Sequence, residues 1–139
     1  MSIPHVGEYI PNDVVEKLMP IGHLVPDTDW YLDRLYNFAD DLGASILKAN
    51  YSRYVIDLNR APDNRVLYPG ANNTELVPTS TFLEEPLYET AKKPSAGEVM
   101  HRKEMYWMPY HQCIVDTVNT LRDRFGHCVL FDCHSIKSV

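Results

Sequence analysis

Basic charge is scarce in this chain: 13 Lys and Arg stand against 19 Asp and Glu, a formal net charge of −6. Nucleic-acid backbones are bound through clustered Lys and Arg, so this balance argues against that class of partner. Long apolar runs are missing too. No stretch approaches the roughly 18 residues a membrane helix needs, and no basic segment followed by an apolar one marks a signal peptide. Cys113, Cys128 and Cys133 are an odd set without CxxC spacing, which fits a reduced cytoplasm better than a disulfide scaffold. Repeats and low-complexity tracts are absent. What remains is an acidic, soluble, cytoplasmic chain whose 139 residues suit a single domain spanning 1–139.

The apolar rhythm then predicts the elements. Asn12 to Met19 reads as a short helix capped by Asn12. Asp27 to Gly43 reads as a longer one, capped by Asp27 or Thr28, with Trp30, Leu32, Leu35, Phe38 and Leu42 on one face. Two segments rich in Tyr, Val, Ile and Leu, "SILKANYS" and "RYVIDLNRAP", read as strands. Residues 61–94 carry five prolines and form a long irregular excursion of the kind that is usually functional; Arg65, Asn72 and Asn73 there are candidate substrate contacts. A long helix follows, opened by a Ser95–Glu98 capping box, kinked at Pro109 and stopped by Gly126. "HCVLFDCHS" reads as a buried strand. Helices alternating with short apolar strands predict an α/β fold with a mixed, mainly parallel sheet flanked by helices.

Reactive side chains cluster just after the strand-like runs, where open α/β sheets keep their chemistry. "PHVGE" spaces His5 and Glu8 so that an imidazole and a carboxylate can meet one ion. "PDTD" adds Asp27 and Asp29, which suit a helix N-terminus equally well. "IDLNR" supplies Asn59 and Arg60, and an arginine fork binds a carboxylate bidentately. "FDCHS" supplies His134, with Asp132 able to orient it. Two histidines, one carboxylate and an open position make the donor set of a catalytic zinc site. His101 and His111 on the long helix suit packing or solvent, and His23 and His127 sit in polar turns.

Taken in order, "IPHVGEYIP", "DTDWYLDRL", "YVIDLNRAPDN", "YWMPYHQ" and "FDCHS" resemble the N-formylglutamate amidohydrolase (deformylase) family along nearly the whole chain. More distantly, H-x-x-E, D-L-N-R and D-x-H-S resemble the zinc carboxypeptidases, whose phosphorylase/hydrolase-like α/β fold the first family is thought to share. The resemblance implies hydrolysis of N-formyl-L-glutamate to formate and glutamate in histidine degradation, with zinc or another divalent metal as cofactor and an N-acyl amino acid as small-molecule partner. It implies His5 and His134 as metal ligands, with Glu8 favoured as the third by one family and Asp29 by the other. Arg60, placed in the catalytic set as well, would hold a substrate carboxylate with Asn59. A carboxypeptidase- or deacylase-like hydrolase of another N-acyl amino acid and an inactive α/β binding module are the competing readings.

Members of that family run on well beyond the H-S motif, whereas this sequence has five residues after His134. The chain is therefore expected to be an N-terminal portion, to take its general base from sequence outside it, to be catalytically impaired and to self-associate through uncovered apolar surface.

Overall fold

The structure, a computed structural model, describes residues 1–65 and 74–136; Asn72 and Asn73 lie outside them. At its centre β1 (Ser2–Ile3) pairs in parallel with β2 (Leu47–Lys48), Ser2 opposite Leu47 and Ile3 opposite Lys48. On the other side of β1 the segment 131–133 runs parallel as well. The Ser2 N–H donates to Phe131 O and the Cys133 N–H to Ser2 O, both at 2.9 Å. A further parallel bridge joins Tyr9 to Tyr51. The described ladder is thus a short parallel sheet with β1 in the middle, as an α/β reading requires.

One long helical rod covers the chain's second half. It consists of α5 (Ala96–Arg102), a π-helical turn over Lys103–Trp107 and α6 (Met108–Phe125). The Ser95 hydroxyl accepts from Glu98 N–H at 3.2 Å, and Gly126 closes the rod at φ 80°, a left-handed cap that glycine adopts without a Cβ penalty. Glu98 does not reach back to Ser95; it turns to Lys17 and Arg102, so the box is half formed. At Pro109 the expected kink takes the form of the wider turn that precedes it, one of the recognised ways a helix absorbs a missing N–H.

Earlier in the chain the described α-helices are single turns: α1 (Asn12–Val15), α2 (Pro20–His23), α3 (Leu32–Leu35) and α4 (Phe38–Asp41). Asn12 lies inside α1, whose cap is Pro11, so it caps nothing. The continuous helix expected over Asp27–Gly43 is broken, because Tyr31 takes a left-handed φ of 65° and Asp29 is drawn to the turn after β1 by its N–H bond to His5 O at 2.9 Å. "RYVIDLNR" is no strand either. It is a buried turn in which Val55 N–H bonds to Ser52 O and Arg60 N–H to Asp57 O. "HCVLFDCHS" was expected to be buried, yet Val129 is 82% exposed and only Cys133 of the run is buried.

Three apolar clusters fix these pieces. Ile10, Val14, Leu18, Tyr54, Val55, Leu87 and Tyr88 pack the N-terminal turns on the 53–58 segment. Ala49, Ile56, Leu58, Leu76, Val77 and Tyr110 join that segment to the rod. Ile3, Leu32 and Cys133 hold β1 between its neighbours. Gly7 sits where this packing leaves no room. A Cβ there would lie 2.2 Å from Tyr51 O, in backbone held on either side by the Tyr9 N–H bond to Asn50 O and the Ser52 N–H bond to Tyr9 O. Gly7→Ala is expected to cost about 3 kcal/mol, the upper end for overpacking, read as a lower urea midpoint; an unchanged midpoint would contradict the packing described.

Candidate metal centre

β1 delivers His5 two residues after Ile3, and the neighbouring segment delivers His134 two residues after its bridge at Asp132. Both histidines therefore stand at the C-terminal ends of adjacent parallel strands, and their ring centroids are 5.1 Å apart. Asp29 lies between them. Its Oδ2 is 3.7 Å from His5 Nδ1 and 3.7 Å from His134 Nδ1, and it accepts the Ser135 N–H at 3.2 Å. Ligand atoms of His5, Asp29 and His134 all lie within 4.8 Å of one another.

The far nitrogen of each ring is occupied. His5 Nε2 is 2.8 Å from Asp57 Oδ1, and His134 Nε2 is 2.7 Å from Asp132 Oδ2. A carboxylate behind each imidazole accepts from Nε2–H and leaves Nδ1 facing the shared space, the arrangement that orients metal-binding histidines. Bonds of about 2.0–2.1 Å at the tetrahedral angle put zinc ligands about 3.3 Å apart. Two nitrogens at 3.7 Å from one carboxylate oxygen come close to that spacing, so the residues present fit a divalent ion.

The electrostatics match. Burial works to raise the Asp29 carboxyl, but the His134 and His5 imidazoles and the Ser135 N–H outweigh it and hold the group well below the usual carboxylate range. Asp57, 1% exposed, is likewise lowered against burial by His5 and by Arg53. His134 is raised to about 9, first by Asp132 and then by Asp29, with burial opposing. Without an ion the site thus carries anionic aspartates and a protonated His134 at neutral pH.

Of the other residues singled out in the sequence, Asn59 lines a cavity of about 290 Å³ together with His5, Asp29, Arg53, Phe82 and His134. Glu8 is exposed and faces a neighbouring cavity that it shares with Trp30 and Lys48; it does not join the three converging ligands. Arg60 directs Nε and Nη2 to Thr74 Oγ1 at 3.2 and 2.9 Å, with Nε 3.9 Å from Asp57. Asp27 is no ligand: its Oδ2 accepts from Tyr54 Oη at 2.7 Å and from Phe82 N–H at 2.9 Å. His101, His23 and His127 are exposed, and His111 stacks on Trp107 with Nε2 2.8 Å from Leu58 O.

Two participants escaped the sequence reading. Arg53 and Asp57 both fall within "RYVIDLNRAP", which reads as a strand, and neither stands out there as a site residue. Arg53 is buried, donates from Nη2 to Asp57 Oδ2 at 2.6 Å and from Nη1 to Asp27 O at 3.3 Å, and lies 4.5 Å from the Phe82 ring centroid. A charged pair inside an apolar run is the signal that could have found both, since buried charges need partners.

Parallel strands ending in two histidines, with an aspartate between the rings and a carboxylate behind each, define an α/β chain with a candidate centre of two histidines and one carboxylate. The chain belongs to the N-formylglutamate amidohydrolase family, whose model matches residues 1–139. It is 44% identical over 138 residues to the N-formylglutamate deformylase of Pseudomonas putida, covering 99% of this chain and 51% of that protein. Identity to the Pseudomonas aeruginosa N-formylglutamate deformylase is also 44% over 138 residues, with 99% and 52% covered. The crystal structure of N-formylglutamate amidohydrolase from Ralstonia eutropha JMP134 superposes with a TM-score of 0.80 at 27% identity, over 97% of this chain and 51% of that one. The chain spans about half the length of the curated relatives it matches.

Proposed function

We propose that this chain carries the metal-binding part of an amidohydrolase that cleaves the N-formyl amide of N-formyl-L-glutamate to formate and L-glutamate. The observation that carries the reading is the convergence of His5, Asp29 and His134 with Asp57 and Asp132 behind the rings. Family membership, relatives named deformylases and this donor set support it together. His5, His134 and Asp29 would hold one divalent ion, with zinc the metal that two imidazoles and one carboxylate suit. Bound there, the ion supplies Lewis acidity and lowers the pKa of a coordinated water.

The chain's own residues bind the substrate and offset charge. Arg53 turns its guanidinium toward the cavity, anchored by Asp57 and covered on one face by Phe82, and offsets negative charge developing on a carbonyl oxygen nearby. Asn59 offers an amide from the cavity wall. Arg60 sits one residue further with its fork on the neutral Thr74 hydroxyl. A substrate carboxylate in place of that hydroxyl would give the fork two charged acceptor oxygens instead of one neutral oxygen, a bidentate ion pair. Among the described residues lining the cavity the only acid is Asp29, already in the ligand set, so the proton-accepting role falls to none of them.

Elemental analysis of the folded chain tests the reading. About one zinc per chain is expected, lost in His5→Ala and His134→Ala. Uptake should weaken as pH falls below about 9, because His134 gains a proton there that must leave before its nitrogen can bind metal. Folded chain that takes up no zinc, or holds it equally well without His134, sinks the proposal. Comparing N-formylglutamate with N-acetylglutamate as ligands of the zinc-loaded chain separates a deformylase from a wider deacylase.

Among the described residues no helix is long and apolar enough to cross a membrane, and three free cysteines support a reducing, cytoplasmic compartment. Exposed Val129, Leu130 and Phe131 beside an apolar cavity of about 380 Å³ support self-association. Light scattering should therefore show species larger than a monomer, and a monomer at every concentration rules this out.

A further inference from the structure

We infer that Tyr110 and Ser2 are positioning residues for His134: together they hold the Asp132 carboxylate so that the imidazole presents Nδ1 to the cavity. The inference deepens the metal-site reading, and its consequence for zinc rests on that reading.

A count of protons carries the argument. Ser2 Oγ donates to Asp132 Oδ1 at 2.7 Å, and a carboxylate can only accept. The single hydroxyl proton of Ser2 is thereby used. Tyr110 Oη, 3.0 Å from the same Ser2 Oγ, must then be the donor in that contact. Burial pushes the Tyr110 phenol up to about 12, so it keeps this proton at any working pH. With Oδ1 occupied by Ser2, Oδ2 is left for His134 Nε2 at 2.7 Å. The relay runs in one direction, Tyr110 to Ser2 to Asp132, and its end fixes the ring.

The backbone holds the same three elements in register. Ser2 is bridged to Asp132, and Asp132 and His134, two apart in an extended segment, point to the same side. Tyr110 arrives from α6, just after the π-helical turn and Pro109, in a rod whose neighbouring side chains brace the 58–60 loop. Trp107 Nε1 donates to Arg60 O at 3.0 Å, and His111 Nε2 lies 2.8 Å from Leu58 O. π turns recur at functional sites, and this one brings three side chains of "YWMPYHQ" onto the elements that carry the cavity residues.

The two histidines are held differently. Asp57 behind His5 is fixed by the Arg53 guanidinium and the Asn59 N–H. Behind His134, among the described residues, the only side-chain donor to Asp132 besides the ring itself is Ser2. His134 is also the more exposed ring, so its orientation depends on the relay.

Proton NMR of the metal-free chain at low temperature tests this. The wild type should show two downfield, slowly exchanging imidazole Nε2–H signals, assigned by their loss in His5→Ala and His134→Ala. In Ser2→Ala and Tyr110→Phe the His134 proton should exchange at least about tenfold faster while the His5 proton is unchanged. Ser2→Thr, which keeps the hydroxyl in a strand position suited to a β-branched residue, should restore it. Zinc affinity of Ser2→Ala should fall by about tenfold, the lower end for partners behind a ligand. Equal His134 exchange in all variants, loss of both signals together, or no His134 signal in the wild type overturns the inference. A His134 proton that responds as expected in a chain that takes up no zinc instead overturns the metal-site reading and leaves the positioning role standing.

Discussion

Asp57→Ala is expected to destabilise the chain by about 3–5 kcal/mol and to weaken zinc binding 10- to 100-fold. Both effects come from one carboxylate. Three donors converge on Asp57, which is sealed from solvent: His5 Nε2 at 2.8 Å, Arg53 Nη2 at 2.6 Å and the Asn59 N–H at 2.9 Å. Removing it leaves the Arg53 guanidinium buried without its counter-ion, the situation that costs about 3–5 kcal/mol when one partner of a buried pair is deleted. It also frees the His5 ring from the acceptor that orients it, and partners of that kind are worth about 10- to 100-fold in metal affinity.

Acid cannot substitute for the mutation. Asp57 is held far below the ordinary carboxylate range, so its contribution is present above its unfolded value near 3.8 and is lost only as pH falls through the lower folded value. Urea unfolding at neutral pH, with and without zinc, is the measurement. A variant that keeps wild-type stability would show that Arg53 finds another anion, and one that keeps zinc affinity would show that Asp57 does not orient His5. Asp57→Asn should recover less than its shape suggests, because its amide can set N–H groups against Arg53.

The two histidines of the candidate site were easier to single out in the sequence than the turns around them. His5 and His134 stood out because each follows a strand-like run, and the run alone says which end of the sheet it is. Ser95 and Gly126 were readable for the same reason: a cap is a local matter of one side chain or one left-handed residue. Asp29 could be read as a charge at a helix N-terminus because the residues after it carry a helical rhythm. The backbone bond from Asp29 to His5 O and the left-handed Tyr31 override that rhythm. No spacing rule anticipates a contact between residues 24 positions apart. Asp57 was hidden in the opposite way. "YVIDLNR" has strand composition, and what makes it a turn is burial of Tyr54 and Val55 in one cluster and of Ile56 and Leu58 in another. "YWMPYHQ" could be matched but not interpreted, since its indole, phenol and imidazole act on Arg60, Ser2 and Leu58 across gaps of about fifty residues or more.

Arg102→Met is the counterpart of the Asp57 change, made on the scaffold that holds the 53–57 turn. Arg102 is 2% exposed, and its Nη1 donates to Tyr54 O at 3.4 Å, Val55 O at 3.1 Å and Tyr88 Oη at 3.2 Å, while Nη2 pairs with Glu98. Methionine fills much of the volume but can satisfy none of these acceptors. An acceptor left buried without a donor costs about 1–3 kcal/mol, so the loss should reach about 3–5 kcal/mol, a large part of the 5–15 kcal/mol typical of a domain. Glu98 is partly exposed and shared with Lys17 Nζ at 2.9 Å, but it is also the counter-ion of the buried Arg102 guanidinium. Glu98→Gln removes that charge while keeping an amide oxygen that can accept from Nη2, so it should cost about 1–3 kcal/mol, less than Arg102→Met. Tyr54 and Val55 directly follow Arg53 and precede Asp57, so a loosened turn should also raise the zinc dissociation constant. Urea midpoints for the two variants decide the matter: equal losses would assign the stabilisation to the ion pair, and a larger loss in Arg102→Met assigns the difference to the guanidinium's hold on the turn.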